Sequence, residues 1–120
     1  MPKKKKMPKK MKEEYAVVLV TCGSRAEARR IARAVVTQRL AACANLFETR
    51  VESVYRWKGK VEQAREFLLL MKTSKARLGA LEAEVKRLHG YEVPEFIALP
   101  IVAGSRAYLR WLGECLGSTP

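Results

Sequence analysis

The side chains able to bind a soft metal or attack a substrate are few. Three cysteines (Cys22, Cys43 and Cys115) and one histidine (His89) are the only thiol and imidazole groups in the 120 residues, and all 12 acidic residues are glutamates. Widely spaced cysteines with no Cys-x-x-Cys pair make no zinc finger. Cys22 lies just before a helical pattern, where free backbone N–H groups lower a thiol's pKa, and it is the candidate reactive thiol. Cys43 and Cys115 fit small packed positions, the usual place of a free cysteine. His89 has two readings. It is a ligand through its neutral imidazole, or a protonated ring facing the C-terminal end of a helix dipole. Gly23-Ser24 offers backbone N–H groups to an anion, without a glycine-rich phosphate fingerprint. One histidine, no aspartate and no elbow around any serine leave no legible nucleophile–base pair, so no catalysis is expected.

These groups must be positioned by elements that the patterning marks. Tyr15–Thr21 is a β-branched run closed by Gly23, a buried strand. Ser24 with Glu27 three residues on forms a capping box. It opens an amphipathic helix from Arg25 to Leu40, with Ala28, Ile31, Ala32, Val35 and Val36 on one face. Cys43–Trp57 carries strand residues, and Lys58-Gly59 supplies a tight hairpin turn into a return strand, Val61–Thr73. Leu78, Leu81, Val85 and Leu88 mark a second helix, closed by Gly90 as a left-handed cap. Pro94 introduces a last strand, Glu95–Val102, and Ser105 caps a final helix. The order β-α-β-β-α-β-α predicts an α+β, ferredoxin-like sheet with two helices on one face and an added C-terminal helix.

Charge divides the chain unevenly. The formal net charge is +12, from 24 basic and 12 acidic residues, and seven of the lysines fall within residues 1–12. That tail is expected to be disordered, since it has too little apolar surface to offset its ordering entropy; residues 13–120 form a single domain. The tail offers salt-sensitive attraction to polyanions but no specific nucleic-acid recognition surface. No apolar run reaches the roughly 20 residues needed to span a bilayer, and no secretory signal is legible. A cytoplasmic protein with reduced cysteines is expected.

A sheet with helices on one face should alternate apolar and polar residues. Here Phe67, Leu69 and Met71 oppose Leu68 and Leu70, and Phe96, Ala98 and Pro100 oppose Ile97, Leu99 and Ile101. Both faces are apolar. Another copy of the chain is the economical cover for the second face; the alternative is that the final helix covers it alone.

The motifs resemble the CutA divalent-cation tolerance family. The matching pieces are Gln38-Arg39-Leu40-Ala41-Ala42-Cys43-Ala44-Asn45, Ser53-Val54-Tyr55-Arg56-Trp57-Lys58-Gly59-Lys60-Val61-Glu62, Lys72-Thr73, His89-Gly90-Tyr91-Glu92-Val93-Pro94-Glu95 and Tyr108-Leu109-Arg110-Trp111-Leu112. The resemblance implies a homotrimer similar to PII signalling proteins. It also implies an intersubunit cleft lined by Trp57, Lys60, Glu62, Lys72, Tyr91 and Glu95. Family members are described as binding copper or other divalent cations. Their cysteine position is occupied here by Val20, with Cys22 two residues on and on the same strand face; of their histidine pair, His89 remains. Metal candidates are therefore His89 and Cys22. Lys60, Glu62, Tyr91 and Glu95 would form either a cleft for a small anionic metabolite or hard cation, or a salt-bridge network between subunits.

Overall fold

The computed structural model describes residues 13–117; the basic segment 1–12 lies outside them. Five strands and three helices follow in the order β1 (Tyr15–Cys22), α1 (Arg25–Thr37), β2 (Cys43–Leu46), β3 (Val51–Trp57), β4 (Lys60–Ser74), α2 (Leu78–Leu88), β5 (Ile97–Pro100) and α3 (Arg106–Cys115). The sheet order is β2-β4-β1-β5, with β3 also pairing β4 and every pairing antiparallel. This is the ferredoxin-like arrangement that the element order predicts.

Cross-strand register builds the core. Val18 faces Met71, Val20 faces Leu69 and Cys22 faces Phe67, and these six side chains are buried with Ala28, Ile31 and Val35 of α1 and Leu81 and Val85 of α2. Each fully buried aliphatic side chain contributes roughly 1.5–3 kcal/mol by leaving water. The helices are also tied to each other. Glu84 of α2 accepts from Arg87 Nη2 at 2.7 Å and from Gln38 Nε2, at the end of α1, at 2.9 Å. The Arg87 hydrogen bonds, then that of Gln38, hold the Glu84 carboxyl down to about 2.

Several boundaries differ from the sequence expectation. The strand stretch from Cys43 to Trp57 is two strands: β2 pairs residues 69–72 of β4, and β3 pairs residues 60–66. Helix α1 ends at Thr37, short of Leu40, because Arg39 adopts a left-handed φ of 60°. Two bonds close it there, Leu40 N–H to Val35 O at 2.8 Å and Arg39 N–H to Val36 O at 3.0 Å. Glycine normally takes this position. The arginine compensates by donating from Nη1 to Cys115 O at 2.8 Å, which ties α1 to α3. Gly90, by contrast, is not left-handed: α2 leaves through His89 in extended backbone, φ −85° and ψ 143°. The last strand is shorter than expected, four residues.

β4 outruns its neighbours. β1 pairs it only from Phe67 onward, so residues 60–66 are held by β3 alone in a two-stranded arm. The arm turns at Lys58 (φ 50°) and Gly59 (φ 83°), the positive-φ pair of a two-residue hairpin loop. Val54, Tyr55, Trp57 and Val61 are exposed along it, and an isolated two-stranded ribbon is marginal in water.

The helix-free face is only partly covered. Val17, Leu19, Leu68 and Leu70 are half-buried, while Ile97 and Leu99 remain 47% and 48% exposed. Helix α3 packs Leu112 and Leu116 on Ala42 and Tyr15 at one end of that face. It therefore does not cover the face alone.

The Arg39 geometry makes a stability prediction. Arg39→Ala keeps the unfavourable φ and loses the bond to Cys115, whereas Arg39→Gly loses the bond but relieves the φ. Urea denaturation should find Arg39→Gly more stable than Arg39→Ala by about 1 kcal/mol; equal stabilities would show that φ carries no strain there.

Candidate functional site

Three chain segments meet at one corner of the core: the end of β1, the first turn of α1 and the exit from α2. Alternation along β1 sends Cys22 into the core and Thr21 to the opposite face. Ser24 caps α1, its Oγ accepting from Glu27 N–H at 3.1 Å. The capping box is completed only on that side, because the Glu27 carboxylate reaches Gly90 N–H at 2.6 Å instead. A Cβ at position 90 would stand 3.0 Å from Glu27 Oε2. Gly90 is therefore suited to close approach, not to a left-handed cap.

His89 is buried where it leaves α2. Its Nε2 lies 2.7 Å from Thr21 O, and its Nδ1 accepts from Tyr91 N–H at 3.1 Å. A ring nitrogen facing an N–H carries no proton, so Nδ1 is bare and Nε2–H donates to the carbonyl. The ring is thus neutral and serves the end of β1, beyond the reach of β5, which pairs β1 only to Leu19. The protonated, dipole-facing reading of His89 does not describe this arrangement.

Cys22, Glu27 and His89 place one ligand atom each within 4.8 Å of one another. Cys22 is not the activated thiol that a helix N-terminus suggests. Burial pushes its thiol up to about 12, with Glu27 and Glu66 adding to the rise. Desolvation of a thiolate outweighs the helix N-terminus here. Cys43 and Cys115 are half-buried; Cys43 Sγ lies 3.9 Å from Tyr108 Oη, and Cys115 packs beside Leu112 and Leu116.

Tyr91 links this corner to a cleft of about 720 Å³ at the base of the arm. Its hydroxyl donates to Glu66 Oε2 at 2.7 Å, and burial, then the Glu66 bond, raises its pKa well above the ordinary phenol value. The phenol passes so near Gly23 that a Cβ there would sit 3.3 Å from its oxygen. Gly23 accommodates a side chain and is not an open anion cradle. Across the cleft, Thr21 Oγ1 donates to Glu95 Oε1 at 3.4 Å.

Of the residues expected to line a cleft, Trp57, Tyr91 and Glu95 come together within one chain. Lys60 and Glu62 stand on the arm, and Lys72 sits at the far end of β4, donating to Asn45 Oδ1 and Tyr108 Oη at 3.3 Å. The sequence marks Glu27 only as the partner of Ser24 in a capping box and gives Glu66 no role. Glu66 had left a trace, an acid at the head of an apolar strand run; Glu27 had none beyond its cap.

The chain matches the sequence profile of the CutA1 divalent ion tolerance proteins over residues 16–115. It belongs to the CutA1 divalent ion tolerance family. The divalent-cation tolerance protein CutA of Thermus thermophilus is 50% identical over 101 residues, covering 84% of this chain and 97% of that protein. The mouse protein CutA is 45% identical over 99 residues, 82% of this chain and 55% of its own length; the chain thus spans about half of the mammalian relative. Among solved structures, the T. thermophilus protein superposes with a TM-score of 0.79 at 49% identity, covering 82% and 94% of the two chains. The periplasmic divalent cation tolerance protein CutA of Archaeoglobus fulgidus superposes at 0.82 with 35% identity, covering 85% and 98%.

Burial makes a reactivity prediction for this CutA-family chain. Near neutral pH, a thiol reagent should modify Cys43 and Cys115 in the folded protein and leave Cys22 unmodified until denaturant is added. The folded Cys22 thiol holds its proton up to about 12, whereas the unfolded thiol releases it near 9.0. The Cys22 contribution to stability is therefore intact below pH 9 and is lost as pH rises toward 12. Cys22→Ala should flatten that part of the alkaline stability curve, and an unchanged curve would refute the assignment.

Proposed function

We propose that this CutA-family chain is a non-enzymatic divalent-cation-binding protein that acts as a homotrimer in the cytoplasm. The observation that carries the metal reading is the convergence of Cys22 Sγ, a Glu27 carboxylate oxygen and a His89 ring nitrogen within 4.8 Å. Sulfur, nitrogen and oxygen donors in one small set, with Cys22 and His89 buried and Glu27 partly so, suit zinc or copper better than magnesium or calcium. The Nε2–H···O=C bond to Thr21 is the outer-shell contact that metal-binding histidines usually keep, with the other nitrogen turned to the ion.

The donors fit such an ion but are already engaged. Nδ1 takes Tyr91 N–H, Glu27 takes Gly90 N–H, and the thiol holds its proton. A cation must displace these partners, which makes for modest affinity. Calorimetry with Zn(II) and Cu(II) should find one saturable site per subunit, weakened at least tenfold by His89→Ala or Cys22→Ser, the order expected for loss of one ligand. Binding that is absent, or indifferent to both substitutions, would remove this site.

The trimer reading is supported by the uncovered face bearing Ile97 and Leu99 and by the projecting apolar arm. Exposed patches of this kind mark interfaces between protein chains, and closed symmetric assemblies are the usual outcome. Sedimentation should give a three-subunit mass for the wild type and a smaller one for Leu99→Glu. A cooperatively folded single subunit in the wild type at micromolar concentration would overturn the assembly. Three unpaired cysteines support a reducing compartment; cell fractionation that recovers the protein outside the cytoplasm would displace that placement.

A further inference from the structure

Helix α1 carries its charge against the local rules that stabilise a helix. Its 13 residues hold four arginines, Arg25, Arg29, Arg30 and Arg33, and one acid, Glu27. A helix dipole favours cations at the C-terminal end, yet the last turn of α1 holds no basic residue. Arg25, Arg29 and Arg33 also follow one another at i,i+4 spacing, where like charges repel across each turn. Local conflicts of this kind are retained where function needs them.

The packing leaves that row of arginines outward. One edge of α1 meets α2 and its exit, through Glu27 to Gly90 N–H, Arg30 Nη2 to Leu88 O at 3.4 Å, and Gln38 Nε2 to Glu84. Ala28, Ile31 and Val35 hold the helix on the sheet. Arg25, Arg29 and Arg33 are exposed. Arg25 is steadied by Glu48 Oε1 at 3.5 Å and by the Phe67 ring. Arg29 and Arg33 form no ion pair among the described residues. The acids of α2 are matched on their own helix, Glu82 to Lys86 at 3.5 Å and Glu84 to Arg87 at 2.7 Å. Both helices lie on the core side of the sheet, opposite the apolar face through which subunits would join.

Spacing and surroundings select the partner. Successive arginines of the row rise by roughly 6 Å along the axis, close to two of the ~3.4 Å steps between phosphates on one strand of a duplex. Guanidinium groups take phosphate oxygens in pairs. Helix α1 contains no aromatic residue on which an unpaired base could stack. Its apolar residues face the core, and Val36 is its one large apolar side chain left exposed, too little to enter a bilayer. Segment 1–12 joins the fold at the end to which the row leads. Thr73 Oγ1 donates to Leu40 O, just past α1, at 2.6 Å, and Thr73 faces Ala16 in register. Seven more lysines therefore enter the chain beside that end.

We propose that α1 docks on the phosphate backbone of a nucleic-acid duplex, with Arg25, Arg29 and Arg33 on alternate phosphates of one strand and no reading of base sequence. The inference uses neither the Cys22–Glu27–His89 corner nor the cleft. Fluorescence anisotropy of the full-length protein with a labelled DNA duplex, between roughly 50 and 200 mM salt, tests it. Arg29→Gln/Arg33→Gln should weaken binding at least tenfold at the low-salt end. It should also reduce the slope of log affinity against log salt by about 2, because each phosphate contact contributes roughly 0.9. Arg29→Lys/Arg33→Lys keeps the charges and should keep the slope, which separates lost charge from a damaged helix. Arg106→Gln/Arg110→Gln removes the same charge from α3 and should change the slope by less than half as much. A full-length variant with the seven tail lysines changed to glutamine should still bind in a manner that depends on Arg29 and Arg33. Equal losses from the α1 and α3 glutamine pairs would overturn the proposal, as would loss of the slope in the lysine pair or no duplex binding in the tail variant. Tighter binding to a single strand, or to vesicles of anionic lipid, than to the duplex would overturn it too.

Discussion

Eight residues of β1 lie in antiparallel register against Phe67–Ser74 of β4, and nearly everything else in the molecule is placed by that pairing. It stacks Val18 on Met71, Val20 on Leu69 and Cys22 on Phe67, the surface on which both α1 and α2 bury their apolar faces. A shift of one residue would send this set to the opposite face. The same pairing begins only at Phe67, and that limit releases the first half of β4 to form the arm. It also puts Thr21 and Cys22 at the strand end, one facing the cleft and the other the corner shared with Glu27 and His89.

His89, Tyr91 and Thr21 make those two places neighbours. The imidazole bonds to the Thr21 carbonyl and accepts from the Tyr91 N–H, while the Tyr91 hydroxyl and the Thr21 hydroxyl reach Glu66 and Glu95 in the cleft. One short loop after α2 thus serves the Cys22–Glu27–His89 corner on one side and an open cavity on the other. Buried polar networks of this kind are costly when partly satisfied, and among the described residues no buried side-chain polar atom is left without a partner. The chemistry of the corner is consequently restrained: its thiol is protonated, its imidazole neutral and its carboxylate occupied.

The apolar character of the helix-free face and the arm belongs to a different level of organisation. Within one chain those residues are half-buried or exposed, and α3 shields only the end near Ala42 and Tyr15. Two-sided strands of this kind are costly to leave in water, which favours assembly over a solitary subunit. Cleft and arm share residues such as Trp57, so the occupancy of one bears on the environment of the other.

Periodicity and turn chemistry alone determined the strands, the helices, the Lys58-Gly59 hairpin and the two-faced sheet, because each of these is written in residues a few positions apart. The motifs likewise carried the family. The split of β2 from β3 was not legible, since β-propensity runs through both and only pairing with β4 separates them. Nor was the helix end at Arg39, a left-handed position that sequence rules assign to glycine. Tertiary structure alone decided the sites. Glu27 meets Gly90 across 63 positions and Glu66 meets Tyr91 across 25, contacts that no local pattern encodes. The Cys22 thiol shows the physical reason most plainly. Its neighbours in sequence argue for a lowered pKa, but its neighbours in space exclude water, and the cost of a buried charge exceeds what a helix end can return.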